Sequence, residues 1–241
     1  MTKSDAAQTR LGLLRALMVD IEPMIELQVT LNRSGRIYTI LRPSDTDVLL
    51  DRVADDPEQN LPYWSEIWPS GVALADAIFL NQELVTGKHV FELGSGVGIT
   101  VGAALEAGAD VIATDYSSDA LLLCRYNALV NAGTEPETLQ LNWRQPPGTL
   151  ADFTDGGFPV VLAADVLYEE RDVEPLLTLL ERLVSPNGFL WLAEPGRRVS
   201  QQFLATAESR GWTIQTETHE GPWPDPKDEG VIVGVHQVRR K

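Results

Sequence analysis

The chain of 241 residues has a single cysteine, three histidines, and only nineteen Lys and Arg against thirty-five Asp and Glu. One cysteine excludes an intrachain disulfide and suits a reducing compartment. Cys124 falls inside a helical pattern, where a small core residue is expected. His89, His219 and His236 are scattered with no second cysteine to help, so no metal site is expected. A net charge of −16 leaves few cations to neutralise phosphates, and only Arg197–Arg198 and Arg239–Lys241 cluster, which argues against a nucleic-acid partner. An acidic surface favours a basic partner or simply keeps the chain dispersed in water. Apolar runs stop short of the ~18 residues of a membrane span. The opening MTKSDAAQTR has no apolar signal core behind its charges, so the chain reads as cytoplasmic, with no membrane partner. Internal repeats and low-complexity tracts are also missing.

What is present is a regular alternation. From Gly87 onward short apolar runs alternate with helical patterns: HVFEL, a helix from about Gly98 to Ala107, DVIATD, a helix over Ser118–Asn131, TLQLN, PVVLAAD, a helix over Asp172–Val184, GFLWLAE, and a helix from about Ser200 to Arg210. Such alternation predicts an α/β fold, a Rossmann-like parallel sheet with helices on both faces. The last runs, WTIQTET and GVIVGVHQV, have no helix between them and are expected as an antiparallel edge hairpin that completes seven strands. In the helix over Ser118–Asn131, Ser117 or Ser118 can cap the first amides, Leu122, Tyr126 and Leu129 share a core face, and Gly133 ends it.

Ahead of this domain, assigned to 61–241, lies an extension over 1–60. It contains an amphipathic segment Leu11–Val19, a β-hairpin in LQVTLNRSGRIYTILRP around Arg33–Arg36, and a loop over Asp45–Asn60 with a short helix VLLDRV. The hairpin pattern is compatible with a cover for a ligand site, a contact to whatever that site acts on or a dimer face, and the sequence sets no oligomeric state.

The chemistry starts at VFELGSGVG, Val90–Gly98. Glycines at Gly94, Gly96 and Gly98 clear space for a ligand, and nucleotides, dinucleotides and S-adenosylmethionine are all held at such turns. A P-loop is excluded, since Gly87-Lys88-His89 lacks both the leading glycine and the hydroxyl. The dinucleotide pattern needs its third glycine where Ile99 stands. Glu92, ending the first strand just before the glycines, would repel a pyrophosphate but suits the ammonium and sulfonium of S-adenosylmethionine. Asp115, ending the second strand, can accept from both ribose hydroxyls, where NAD and S-adenosylmethionine look alike. Trp143 directly follows TLQLN and so emerges at the carboxyl edge of the sheet, placed to stack on a base. Tyr63 and Trp64 read as aromatic packing before the sheet, and Trp68 reads as packing or as part of the site.

Together YWSEIWPSGVALA, VFELGSGVG, ATDYS, Asn142-Trp143, ADVLY and LAEPGR resemble the class I S-adenosylmethionine-dependent methyltransferases, from about Leu61 to the end. The resemblance is to the branch containing protein-lysine methyltransferases with an Asp-x-x-Tyr motif, a branch that also includes proteins called nicotinamide N-methyltransferase-like. It implies that Glu92, Gly94 and Gly96 line the methionine end and that Asp115 binds the ribose. Trp143 then lies against the adenine with Asn142 nearby, Trp68 helps close the pocket, and Asp165 and Tyr168 face the acceptor nitrogen. Methyltransferases acting on exocyclic or amide nitrogens carry two prolines where this chain has Val166 and Leu167, which favours an aliphatic amine as acceptor. The implied activity is N-methyl transfer to a lysine of a protein partner. A small-molecule acceptor such as a nicotinamide-like ring or an amine, and a protein that binds the cofactor without catalysis, are the alternatives. Arg197 can bind an acidic substrate group or pair internally.

Overall fold

The computed structural model describes residues 3–21, 23–50, 61–147, 150 and 156–240. Its sheet has seven strands: β3 (His89–Leu93), β4 (Asp110–Asp115), β5 (Glu137–Gln140), β6 (Phe158–Ala164), β7 (Val184–Glu194), β8 (Trp212–Glu220) and β9 (Ile232–Arg240). Their order is β5-β4-β3-β6-β7-β9-β8. Strands β3 to β7 pair in parallel, while β9 runs antiparallel to both β7 and β8, as the missing crossover helix predicts. The expected α/β class, Rossmann-like sheet and edge hairpin are all present.

Alternate residues of the central strands feed two separate apolar clusters, so each face of the sheet has its own core. Val90, Val160, Leu162 and Trp191 belong to one cluster. Phe91, Val161, Ala163 and Leu190 belong to the other. Helices α2 (Pro69–Leu80), α3 (Ile99–Glu106) and α4 (Ser118–Ala132) contribute to the first layer. Helices α5 (Val173–Leu183) and α6 (Arg198–Ser209) contribute to the second. Strand β7 starts at Val184, expected as the end of the preceding helix, and takes in Ser185–Asn187 ahead of the expected run GFLWLAE.

Helix α4 is capped by Ser117, whose side chain accepts from the Ala120 amide, and ends at Gly133 in the left-handed conformation. Leu122, Tyr126 and Leu129 do share a face, but it is not the sheet face: they pack with Leu14, Met18 and Ile21 in a satellite cluster. Cys124 and Ala128 face the main core instead. Leu122, Tyr126 and Leu129 thus belong to the seat of the N-terminal helix α1 (Lys3–Ala16), longer than the expected Leu11–Val19 and followed by a 3-10 turn at Val19–Ile21.

The expected hairpin pairs β1 (Met24–Thr30) with β2 (Ile37–Pro43), from Met24 opposite Pro43 to Thr30 opposite Ile37. Buried Asp76 of α2 accepts from the amides of Arg33 and Ser34 at 2.7 and 2.8 Å, fixing the hairpin turn. The outer edge of β2 is satisfied by two asparagines one helical turn apart on α4. Asn131 bonds both the N–H and the C=O of Thr39, and Asn127 does the same for Leu41, each at 2.9 Å. Side-chain amides here replace a neighbouring strand, leaving those backbone groups paired. Only a helical turn at Asp47–Leu50 is seen from VLLDRV; residues 51–60 lie outside the described residues.

Candidate functional site

The carboxyl ends of β3, β4, β5 and β6 open onto one cavity of about 340 Å³. This is the place where open α/β sheets bind ligands, since the loops leaving parallel strands diverge there. The glycine loop forms one wall, Leu61–Trp68 another, and Asp115–Ser118, Leu141–Arg144 and the end of β6 complete it.

Gly94 has φ +67°, and a Cβ there would lie 2.9 Å from Val166 Cγ1 and 3.6 Å from the Trp143 ring. The missing side chain therefore keeps a cradle open between the two. Gly98 plays a different part. With φ +84° it caps α3, and a Cβ would stand 2.8 Å from Cys124 Cα. The early third glycine lets α4 approach the loop closely and does not line the cavity.

Asp115 is 7 % exposed, and its two oxygens accept from the amides of Gly96 and Ser117, each at 2.9 Å. Burial pushes its pKa up to about 6 despite these bonds. The carboxylate is thus preset and keeps further lone pairs for ligand hydroxyls. Glu92 departs from expectation: it is fully buried one layer behind the cavity. Thr100, which does line the cavity, donates to Glu92 Oε1, and Oε2 has no partner among the described residues. Burial raises the Glu92 pKa to about 8, with the charge of Asp115 adding to the rise, so the unliganded protein holds it largely protonated at neutral pH.

Trp143 lines the cavity and donates its indole N–H to Asp172 Oδ1 at 3.1 Å. Asp172 is fully buried and paired with Arg144 at 2.6 Å. Asn142, also on the lining, accepts from the Arg144 amide at 2.9 Å. The flat ring is thus clamped in place, an anchor that no local pattern reveals.

Asp165 follows β6 with φ +58°, a left-handed conformation that few residue types other than glycine tolerate, Asp and Asn among them. It lines the cavity, accepts from Ser70 Oγ at 3.0 Å and forms an ion pair with Arg197. Of the two roles open to Arg197, the structure displays internal pairing. The loop carrying it is pinned by buried Glu194, which accepts from the Gly196 amide at 2.6 Å and from Ser200, and contacts His236 at 3.1 Å. Tyr168 lines the same cavity beside Tyr63, ring centroids 5.5 Å apart in an edge-to-face arrangement. Burial, reinforced by Asp172, pushes its phenol well above the ordinary range, so it stays a hydrogen-bond donor. Trp68 caps α2 and donates to Tyr63 O at 2.9 Å.

Of the nine residues expected at the site, Trp68, Gly94, Gly96, Asp115, Asn142, Trp143, Asp165 and Tyr168 meet at this cavity, with Glu92 behind it. Tyr63 and Trp64, read as packing, line it too, as do Glu66, Thr100 and Arg144, which carried no signal beyond their neighbours. The cavity fits S-adenosylmethionine on three observations. These are the cradle at Gly94, a preset carboxylate at Asp115, and a buried acid behind Thr100, one oxygen of which has no partner among the described residues, that a cationic ligand would favour in its charged form. Among the described residues, no group of three or more His, Cys, Asp or Glu is placed to hold a metal ion.

Sheet order and cavity position define the class I methyltransferase fold. It is shared with the magnesium protoporphyrin IX methyltransferase of Synechocystis PCC 6803 solved with bound S-adenosylmethionine (TM-score 0.53, 15 % identity, 81 % of this chain and 97 % of that one). Within that class, residues 58–210 match the family described as lysine methyltransferase, and the chain belongs to it. Similar proteins include the histone-arginine methyltransferase METTL23 of Xenopus laevis, 29 % identical over 65 % of this chain and 68 % of that protein. The protein-lysine N-methyltransferase EFM3 of Chaetomium thermophilum is 31 % identical over 72 % of this chain and 56 % of that one. The chain spans about half to two thirds of the length of such curated relatives.

Proposed function

We propose that the protein is an S-adenosylmethionine-dependent N-methyltransferase acting on a lysine side chain of a protein partner. The observation that carries this reading is that Asp165 and Tyr168, just past the end of β6, both line the cavity that Asp115 and the glycine loop also line. S-adenosylmethionine, when bound, supplies a methyl group already activated by its sulfonium, so the chain's task is alignment. Asp115 takes the ribose hydroxyls, Gly94 and Gly96 leave room for the methionine end, and Glu92 supplies negative charge to it through Thr100. Trp143, with Asn142 beside it, takes the adenine, and Trp68 closes the cavity. Asp165 attracts and orients the acceptor ammonium with the lone pairs that Ser70 and Arg197 leave. The amine's proton leaves to water or through Asp165, and Tyr168 sets its hydroxyl or ring against the nitrogen.

A protein acceptor accords with the family, with Val166 and Leu167 in place of two prolines, and with a net charge of −16 that attracts basic surfaces. The lone buried thiol suits a cytoplasmic setting, and among the described residues no helix is long and apolar enough to cross a membrane. We assign catalysis to 61–241 and treat 1–60 as an N-terminal extension. The test is incubation of wild type and Asp165→Ala with methyl-labelled cofactor and a protein extract. We expect label in the protein fraction with wild type, and none with the variant although it still binds S-adenosylhomocysteine. Label confined to small molecules favours the nicotinamide-like alternative, and binding without transfer favours the non-catalytic one.

A further inference from the structure

Two consecutive residues of β2 are tied to two adjoining walls of the cavity. Leu41 is tied through its backbone to Asn127, whose amide also donates to Val97 O in the glycine loop at 2.8 Å. Next to it, Arg42 donates to Ser65 O at 3.2 Å and pairs with Glu66 Oε2 at 3.0 Å, in the wall formed by Leu61–Trp68. Thr46 adds a second hold, donating to Glu66 Oε1 at 2.6 Å. The two walls meet nearby, where Trp64 O would lie 3.3 Å from a Cβ on Gly96. Arg42 is largely buried, with 18 % of its side chain exposed, so its ion pair is shielded from solvent more than a surface pair is. Both Arg42 and Thr46 precede the segment shared with the family, residues 58–210.

We propose that β2 of the N-terminal hairpin sets the width of the cofactor cavity, with Arg42 and Asn127 as positioning residues that hold the aromatic wall and the glycine loop at a fixed separation. The hairpin is then part of the cofactor site without touching the ligand. The proposal rests on the cavity being the S-adenosylmethionine site. A wall that must be ordered by the ligand costs affinity, whereas one held in advance does not.

The test is calorimetric titration of the full chain with S-adenosylhomocysteine, alongside thermal melts of the ligand-free protein. Arg42→Met is expected to weaken binding about tenfold, the effect of losing a partly buried charged contact. Arg42→Lys, which keeps the cation but not the fork, weakens it less. Arg36→Met, which removes the hairpin's ion pair to Glu106 at 2.9 Å, lowers the melting temperature but binds as wild type does. Wild-type affinity in Arg42→Met, or an equal loss in Arg36→Met, overturns the proposal. Should Arg42→Met not fold, Thr46→Val is expected to weaken binding two- to threefold, an order-of-magnitude figure for one hydrogen bond, and wild-type affinity in both Thr46→Val and Arg42→Lys overturns it. Failure of the wild type itself to bind would instead refute the cofactor reading.

Discussion

Replacing Glu92 by glutamine should stabilise the unliganded protein at alkaline pH while weakening its grip on the cofactor. Burial raises the Glu92 pKa from 4.5 to about 8. Below pH 4.5 folded and unfolded chains both hold the proton; above it the unfolded chain ionises while the folded one keeps its proton, so stability falls as pH rises until the folded pKa is passed. At about 1.4 kcal/mol per pH unit the full loss approaches 5 kcal/mol, and local relaxation reduces it to roughly 2–5 kcal/mol. Glutamine copies the shape of the protonated acid and can still accept from Thr100, but cannot ionise. Urea unfolding at pH 6 and pH 8.5 should therefore show the variant's margin of stability over wild type growing by about 2 kcal/mol or more from the first pH to the second. Binding should move the other way. Wild-type affinity for S-adenosylhomocysteine should rise between pH 6.5 and 8.5 as Glu92 yields its proton to face the ligand's ammonium, and the variant should lack that rise. A wild type whose stability does not fall across this range, or a variant less stable than wild type at pH 8.5, would refute the reasoning.

Asp115→Ala should raise the S-adenosylhomocysteine dissociation constant about a hundredfold, since it removes charge-assisted acceptors for the ribose and strips the Gly96 and Ser117 amides of their partner. Calorimetry with circular dichroism checks both affinity and fold, and an affinity within threefold of wild type would be at odds with the ribose assignment. Gly98→Ala should destabilise by about 2 kcal/mol or more, because the left-handed backbone is strained for alanine and its Cβ would press on the Cys124 backbone, which no rotamer change relieves. Chemical denaturation reads this directly; a variant as stable as wild type would mean the loop and α4 separate freely.

Elements with a local period were legible before the structure. Runs such as HVFEL and PVVLAAD are mainly apolar and lack a polar–apolar alternation because central parallel strands are covered on both faces, and the hairpin showed in the two runs flanking Arg33–Arg36. Glu92, Asp115, Trp143 and Asp165 were legible because each stands at or just past a strand end, where topology turns position in the chain into position at the site. What stayed hidden were long-range polar pairings. Nothing local to Arg197 predicts its ion pair with Asp165, nothing near Asp172 predicts that it anchors Trp143, and Asn127 reads as an ordinary helical asparagine until β2 lies beside it. Leu122, Tyr126 and Leu129 illustrate a further limit, since periodicity locates an apolar face but not which neighbour covers it.

The central claim is the identity of the acceptor atom. Purified protein, incubated with deuterated-methyl cofactor and a protein extract and followed by peptide mass spectrometry, should place the methyl group on lysine Nζ in one or a few proteins, and Asp165→Ala should abolish it. Label on arginine, or only on small molecules, would contradict the account.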